Sequence, residues 1–488
     1  MPARYHIHTN PCPPRFPVVG KLGIVDWRED CLGCHNCVKR SCVYGFYRDE
    51  ADRLRDEIGY LDYVYQCKGC LSCIQNCTKG ILTRVVNPEY KSLGDDYYTP
   101  DIVLTTWYQA ETGHVPVSGS GYGGPFSGTG FDSMWTDMSE IVRPTRDGIH
   151  GREYINTSVD IGRKPKHLAF QNMTLTTELP SLLETPAPLI FDVLPEHFYR
   201  GPMRVLITQA AAQMGLLSVV PRKEIPSPSQ AYPNVSHGAV IGTPTENPLA
   251  LARKNIIPLM EDPQNDDDES LADSRFVMVR DREDILAVCE SLKERTPSRI
   301  VAIRTPATPA TTERIMELTR GGAEVIFLVF DLHGMETAPL NPRHMRDVLR
   351  DVHGALTKDG IRDEVTLVAS GGIALPEHMA KAIICGADLV AVDLALVLAL
   401  ECRLCWECKR GEKCPIELAT IEPEFAVQRI VNLIGAWRNQ LLEMLGAMGI
   451  REVRRLRGET GRCMFFEDLE RETFGRLFGK RKAEVGTG

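Results

Sequence analysis

From Pro188 onward, short apolar runs alternate with stretches of helical periodicity. The runs are Leu189–Leu194, Leu216–Val220, Ala239–Ile241, Ile256–Met260, Phe276–Val279, Ile300–Ile303, Val325–Phe330, Val365–Ala369 and Leu389–Val392. Runs of this length without alternation read as strands covered on both faces, and helical spacers between them predict parallel pairing. Nine of them predict an α/β fold, a closed (β/α)8 barrel with one run to spare. In that fold the chemistry sits at the C-terminal strand ends, which singles out Asp192, Arg304, Asp331, His333 and Ser370 to Gly372.

The last two runs carry the densest signal. Val365–Ala369 stops at Ser370-Gly371-Gly372 and passes into a helical pattern, Pro376 to Cys385. Strand, glycine turn and helix in that order can hold a phosphate on backbone N–H groups and the helix N-terminus. The following run, Leu389–Val392, is succeeded by Cys402-x2-Cys405-x2-Cys408-x5-Cys414-Pro415. A phosphate-binding turn and an iron–sulfur ligand set are therefore expected as neighbours.

The amino-terminal part has a different grammar. Residues 1–25 are proline-broken and read as an extended arm, in which His6 and His8 alternate along a short polar strand. Then come Cys31-x2-Cys34-x2-Cys37-x4-Cys42 and Cys67-x2-Cys70-x2-Cys73-x3-Cys77. Paired runs of this type mark a small α+β, ferredoxin-like domain with two [4Fe–4S] clusters, placed at residues 26–96. A triplet wraps one cubane and the distant fourth cysteine closes the other. Cys31, Cys34, Cys37 and Cys77 then hold one cluster, and Cys67, Cys70, Cys73 and Cys42 the second. Val43 and Thr78 stand where proline usually follows the fourth cysteine. Zinc is the alternative, but zinc sites mostly use pairs of CxxC instead of triplets. The spacer from Val43 to Gln66 reads as a helical insertion.

Residues 97–187 are expected to connect this domain to the barrel, which spans 188–400. The glycine-rich stretch Ser118 to Gly130 has neither GxGxxG order nor a lysine-bearing phosphate loop, and reads as surface loop. The acidic run Asp266 to Glu269 lacks calcium-loop spacing. The third cysteine set occupies 401–420, and 421–488 form a helical cap, amphipathic over 423–450, with a frayed tail. Cys12, Cys289, Cys385 and Cys463 have no partner spacing, and small buried hydrophobes are the default for Cys289 and Cys385.

Composition narrows the class. A net charge of −9 opposes a general nucleic-acid surface, and no apolar run reaches the ~20 residues of a membrane span. Sixteen cysteines without a secretory signal favour metal ligation over disulfides and a reducing, cytoplasmic setting.

The order of parts resembles the flavin-binding synthase domain of glutamate synthase, in the archaeal-type chains that carry an N-terminal ferredoxin domain and lack the glutaminase domain. The stretches that carry the resemblance are Thr145 to Tyr154, Gly360 to Ile373, and Cys402 to Pro415. It implies FMN at the barrel mouth, with its phosphate at Ser370, Gly371 and Gly372 and at the next strand end, Ala391 and Val392, and with Arg304 where a lysine near the flavin is expected. It also implies a cluster after the barrel, [3Fe–4S] on three cysteines in the family. The four cysteines here point to a third [4Fe–4S] cluster on Cys402, Cys405, Cys408 and Cys414.

Three departures shift the expected function. The glycine- and proline-rich substrate loop of the family is replaced by Glu261 to Glu269. The GHDGGTGA turn reads Asp331-Leu-His333-Gly334-Met-Glu-Thr-Ala338, and Asp393 stands where glycine usually admits the phosphate. The reading is an iron–sulfur flavoprotein acting as an electron-transferring oxidoreductase subunit of a hetero-oligomeric complex. Its electrons come from a ferredoxin or an NAD(P)H-oxidising subunit, since the chain has no nicotinamide fingerprint. The alternatives are a true glutamate synthase chain, forming L-glutamate from 2-oxoglutarate and ammonia or glutamine nitrogen, and a non-catalytic barrel carrying a cluster wire. No catalytic residue is assigned. His333 reads first as a structural hydrogen-bonding histidine, with Asp331 and His333 the acid–base candidates.

Overall fold

The computed structural model describes residues 5–16, 19–25, 34, 36, 40, 72–80, 83–115, 130–136, 154–177, 180–199, 202–225, 255–260, 274–338, 340–469, 473 and 477. Its centre is a closed barrel of parallel strands. These are β1 (Leu189–Phe191), β2 (Ser218–Pro221), β3 (Ile256–Met260), β4 (Phe276–Arg280), β5 (Ile300–Pro306), β6 (Val325–Val329), β7 (Thr366–Ser370) and β8 (Leu389–Val392). The order is sequential, and β8 closes on β1 through Val392 paired with Phe191. The apolar runs of the sequence thus become the barrel strands. Ala239–Ile241, the run with no place in the eight strands, lies outside the described residues.

Every residue of β7 and β8 is buried, because helices cover the outside while side chains fill the lumen. The helices are α1 (Pro100–Thr112), ahead of the barrel, then α2 (Met203–Gln213), α3 (Ile285–Arg295), α4 (Thr311–Arg320), α5 (Met345–Lys358), α6 (Pro376–Cys385), α7 (Leu394–Ala399) and α8 (Pro423–Ala447). Proline at the first turn starts α1, α6 and α8, where its missing N–H has no intrahelical partner to lose. At the opposite end of the barrel from the mouth, Arg362 and Arg457 clamp Asp388 at 2.8 and 2.6 Å.

The helix α8 packs on α1, α2 and α6. Its Arg429 is almost fully buried and donates to the carbonyls of Ala399, Cys12 and Trp107, tying α7, the arm and α1 to one guanidinium. Residues 5–16 of the arm lie in this seam, with Cys12 N–H on the Glu111 carbonyl at 2.8 Å and Asn10 N–H on Asn432 at 3.1 Å. Gly435 admits the arm, since a Cβ there would stand 2.5 Å from Thr9 Cγ2. Leu22–Val25 and Thr83–Val86 pair antiparallel on either side of the two amino-terminal cysteine runs. Of the cysteines in those runs, Cys34, Cys73 and Cys77 are described. Cys31, Cys37, Cys42, Cys67 and Cys70, the 43–66 spacer, 143–152, 266–269 and the tail from 480 lie outside the described residues.

Candidate active site at the barrel mouth and the adjoining cysteine pocket

The mouth is organised around Asp192, the first residue past β1 and only 2% exposed. Arg304, near the end of β5, donates to both of its oxygens at 2.7 and 3.2 Å. Val193 N–H donates to Oδ1 at 2.7 Å, and the Ser370 hydroxyl at the end of β7 donates to Oδ2. The carboxylate is thus satisfied by a bidentate ion pair and two further donors, as a buried charge requires. Asp192, Arg304 and Ser370, far apart in sequence, form one unit.

Beyond Ser370 the chain makes two left-handed residues, Gly371 at φ +96° and Gly372 at φ +69°. A Cβ on Gly372 would lie 2.4 Å from Gly334 N, so the turn packs directly on the loop after β6. Among the described residues, the N–H groups of Gly371, Gly372 and Ile373 have no hydrogen-bond acceptor. Successive open N–H groups on a left-handed turn form a nest for an anion, and this half of the site fits a flavin phosphate.

The neighbouring half is different. Ser370 pairs with Ala391, so the turn after β7 and the start of α7 leave the barrel side by side. In barrels of this class those two places commonly share a phosphate. Here Asp393 caps α7, accepting from Leu394 N–H at 2.6 Å. Burial pushes its carboxyl up to about 7, and the Asp192 charge adds to the rise. It is 5% exposed and has no ion-pair partner among the described residues. Ala391 and Val392 are buried strand residues whose backbone ends beside this cap; the Val392 carbonyl accepts from Asp192 N–H.

A loop from the connector covers the turn. The Tyr97 hydroxyl donates to the Gly372 carbonyl at 2.6 Å, and the ring stacks on His333 at 5.2 Å and 16°. His333 Nε2 stands 3.3 Å from Asp95. Asp331 accepts from the N–H groups of His333 and Met335 at 2.9 and 2.8 Å, which shapes its own loop. Both acid–base candidates of the sequence are therefore engaged in holding the rim. Tyr98, the next residue, is fully buried, and its hydroxyl has no partner among the described residues. Burial first and Asp393 second hold that phenol far above its usual range.

The third cysteine set lies next door. Cys402, Cys405, Cys408 and Cys414 line one pocket with Pro415, Trp406, His197 and Phe198. Glu401, Leu404 and Trp406 take positive φ, at 70°, 49° and 59°, which coils the chain between successive cysteines. Burial raises the Cys402 thiol far above its usual range, and Cys405, Cys414 and Cys408 add to the rise. Four thiols this close need cationic charge among them before they ionise together, so the donor set fits an iron–sulfur cluster. Among the described residues no group of three His, Cys, Asp or Glu side chains stands ready for a single metal ion. A cubane binds each thiolate through a different iron.

Several residues here had no signal in a linear reading. Arg15 of the arm grips both ends of the cysteine segment, through Glu401 at 2.8 and 3.0 Å and the Ile416 carbonyl at 3.1 Å. Trp107 donates to the Cys402 carbonyl at 3.3 Å, and Gly94 N–H to the Arg403 carbonyl at 2.9 Å. The start of α1 carries a signal, Pro100 after Thr99, that the reading of 97–187 as a connector did not use. Its destination carries none.

Residues 265–451 match the family described as the conserved region in glutamate synthase. The archaeal-type glutamate synthase (NADPH) of Dehalococcoides mccartyi is 27% identical over 89% of this chain and 93% of its own. The archaeal glutamate synthase (NADPH) of Archaeoglobus fulgidus is 26% identical over 93% and 96%. A solved structure of mandelate oxidase with (S)-2-phenylpropionate aligns at a TM-score of 0.39 and 13% identity, over 66% of this chain and 97% of that one, and adds nothing to the topology above. Among the described residues no helix is long and apolar enough to cross a membrane. The chain is thus similar to archaeal-type glutamate synthases along nearly their whole length, and its residues 265–451 match the conserved region of glutamate synthase.

Proposed function

We propose that the chain is an iron–sulfur flavoprotein oxidoreductase of the glutamate-synthase type, serving as the electron-transferring subunit of a larger redox complex. The observation that carries this reading is a shared wall. The loop leaving β1 begins with Asp192 at the mouth and reaches the cysteine pocket through His197 and Phe198. Electrons entering at the cysteines would have this one wall of packed protein to cross. Cys402, Cys405, Cys408 and Cys414 would hold a [4Fe–4S] cluster, and the amino-terminal runs two more. Cys34 Sγ lies 3.7 Å from the hydroxyl of Thr78, the residue after Cys77, as expected if Cys34 and Cys77 ligate one cluster.

The N–H groups of Gly371, Gly372 and Ile373 would receive the phosphate of FMN, beside Ala391 and Val392. Bound there, the flavin would supply two-electron exchange with a substrate and one-electron exchange with the clusters. The chain's own contribution is fixed charge and cover. Arg304, locked by Asp192, places a guanidinium at the mouth, and Tyr97 with His333 shields the turn from water. A donor partner is required, either a ferredoxin or an NAD(P)H-oxidising subunit.

A second reading, a glutamate synthase catalytic chain, is favoured by the names of the relatives. Against it stands the mouth, where Asp331 is spent on backbone N–H groups and His333 is paired with Asp95. Iron and flavin content of anaerobically purified protein tests the proposal. About twelve irons and one FMN are expected for three cubanes and a flavin. A count near eight would remove the cluster at Cys402 to Cys414. Glutamate formation from 2-oxoglutarate with glutamine or ammonia on the same sample would replace the electron-transfer reading with the synthase.

A further inference from the structure

We infer that Asp393 is a specificity-determining residue that sets the barrel mouth against the phosphate of a flavin, so that FMN gains little over riboflavin until the charge at this position is removed. The inference rests on the flavin reading above. Its basis is the unlike halves of the anion seat. The turn after β7 offers open N–H groups at 371–373, while beside it the Leu394 N–H is already filled by the chain's own carboxylate.

Neither backbone nor stability explains the aspartate. Asp393 has φ −122° and ψ −90°, so no glycine-only conformation is involved. Asparagine or serine caps a helix as well. A charged carboxylate buried without a counter-ion among the described residues is costly, and Arg304, whose charge favours its ionised form, is committed to Asp192. The orphaned, fully buried hydroxyl of Tyr98 lies within the electrostatic reach of the same carboxylate, so this corner holds two polar groups that its own packing leaves underused. What the charge does is oppose a second anion. The phosphate of FMN carries about −1.5 to −2 at neutral pH, as other phosphate monoesters do, and riboflavin carries none.

Full-length protein, purified anaerobically with its clusters and stripped of flavin, is titrated with FMN and with riboflavin by flavin fluorescence. Wild type is compared with Asp393→Asn and Asp393→Ser, both of which can still cap α7. Circular dichroism checks that the variants fold. The titrations are run at pH 8 to 9, above the value of about 7 to which burial raises Asp393, so that the carboxyl is charged; there FMN affinity is expected to rise roughly 10- to 100-fold in both variants, with riboflavin affinity unchanged. FMN appearing only in the variants supports the assignment of Asp393 and overturns the expectation of one FMN per wild-type chain. FMN binding wild type far more tightly than riboflavin, with that ratio unmoved by either substitution, overturns it and leaves the flavin reading intact. Failure of both flavins on all proteins overturns the flavin reading itself, and the role of Asp393 with it.

Discussion

Replacing Arg304 with methionine keeps the length of the stem and deletes the guanidinium that balances Asp192. The two bonds lost are charge-assisted, at 2.7 and 3.2 Å, and the carboxylate left behind is 2% exposed. Removing one partner of a buried pair costs about 3–5 kcal/mol, because the survivor remains desolvated and unbalanced. Val193 N–H and the Ser370 hydroxyl still reach Asp192, so the lower end, about 3 kcal/mol, is expected. Asp192→Asn in the same background removes the stranded charge. The double variant should therefore recover about 2 kcal/mol relative to the sum of the single changes. Urea unfolding of the four proteins, followed by far-UV circular dichroism through the barrel transition, measures this coupling. A coupling energy below about 0.5 kcal/mol would mean that Asp192 and Arg304 act independently, and the mouth would not be the unit described.

Two further outcomes follow from buried charges elsewhere. Glu377 on α6, bonded to Gln440 at 2.7 Å, is pushed up to about 8 by burial. A carboxyl whose folded value is raised stabilises the native state least once the pH exceeds that value, so stability should decline from about pH 4.5 to pH 8. Glu377→Gln should flatten that decline and gain on the order of 2 kcal/mol at pH 8; an unchanged pH profile would show that burial is not governing this group. Arg15→Gln should loosen the cysteine segment that Arg15 spans from Glu401 to Ile416. About a third of the bound iron would then pass to a chelator several-fold faster than in wild type, whereas identical release kinetics would exclude the clamp.

Much of the fold could be read along the chain. Unbroken apolar runs such as Val325–Phe330 and Val365–Ala369 can be satisfied only by cover on both faces, and a parallel barrel provides it. The mouth residues Asp192, Arg304 and Ser370 were legible for the same reason, since strand direction decides which ends collect. What they do together was not, because the bond from Arg304 to Asp192 spans 112 positions and leaves no local pattern. Asp393 was visible as a misplaced carboxylate, but only the packing of α7 shows that it turns onto Leu394 N–H and takes an anion's place.

The amino-acid sequence by itself determined the barrel, its reactive end and the spacing of the cysteines, because periodicity and ligand spacing are local properties of the chain. Tertiary structure alone decided that Tyr97 covers the glycine turn, that Arg15 and Trp107 hold the cysteine segment, and that His197 joins the pocket to the mouth. Those contacts connect segments hundreds of residues apart, and their energies exist only once closure of the barrel has brought the segments within bonding distance.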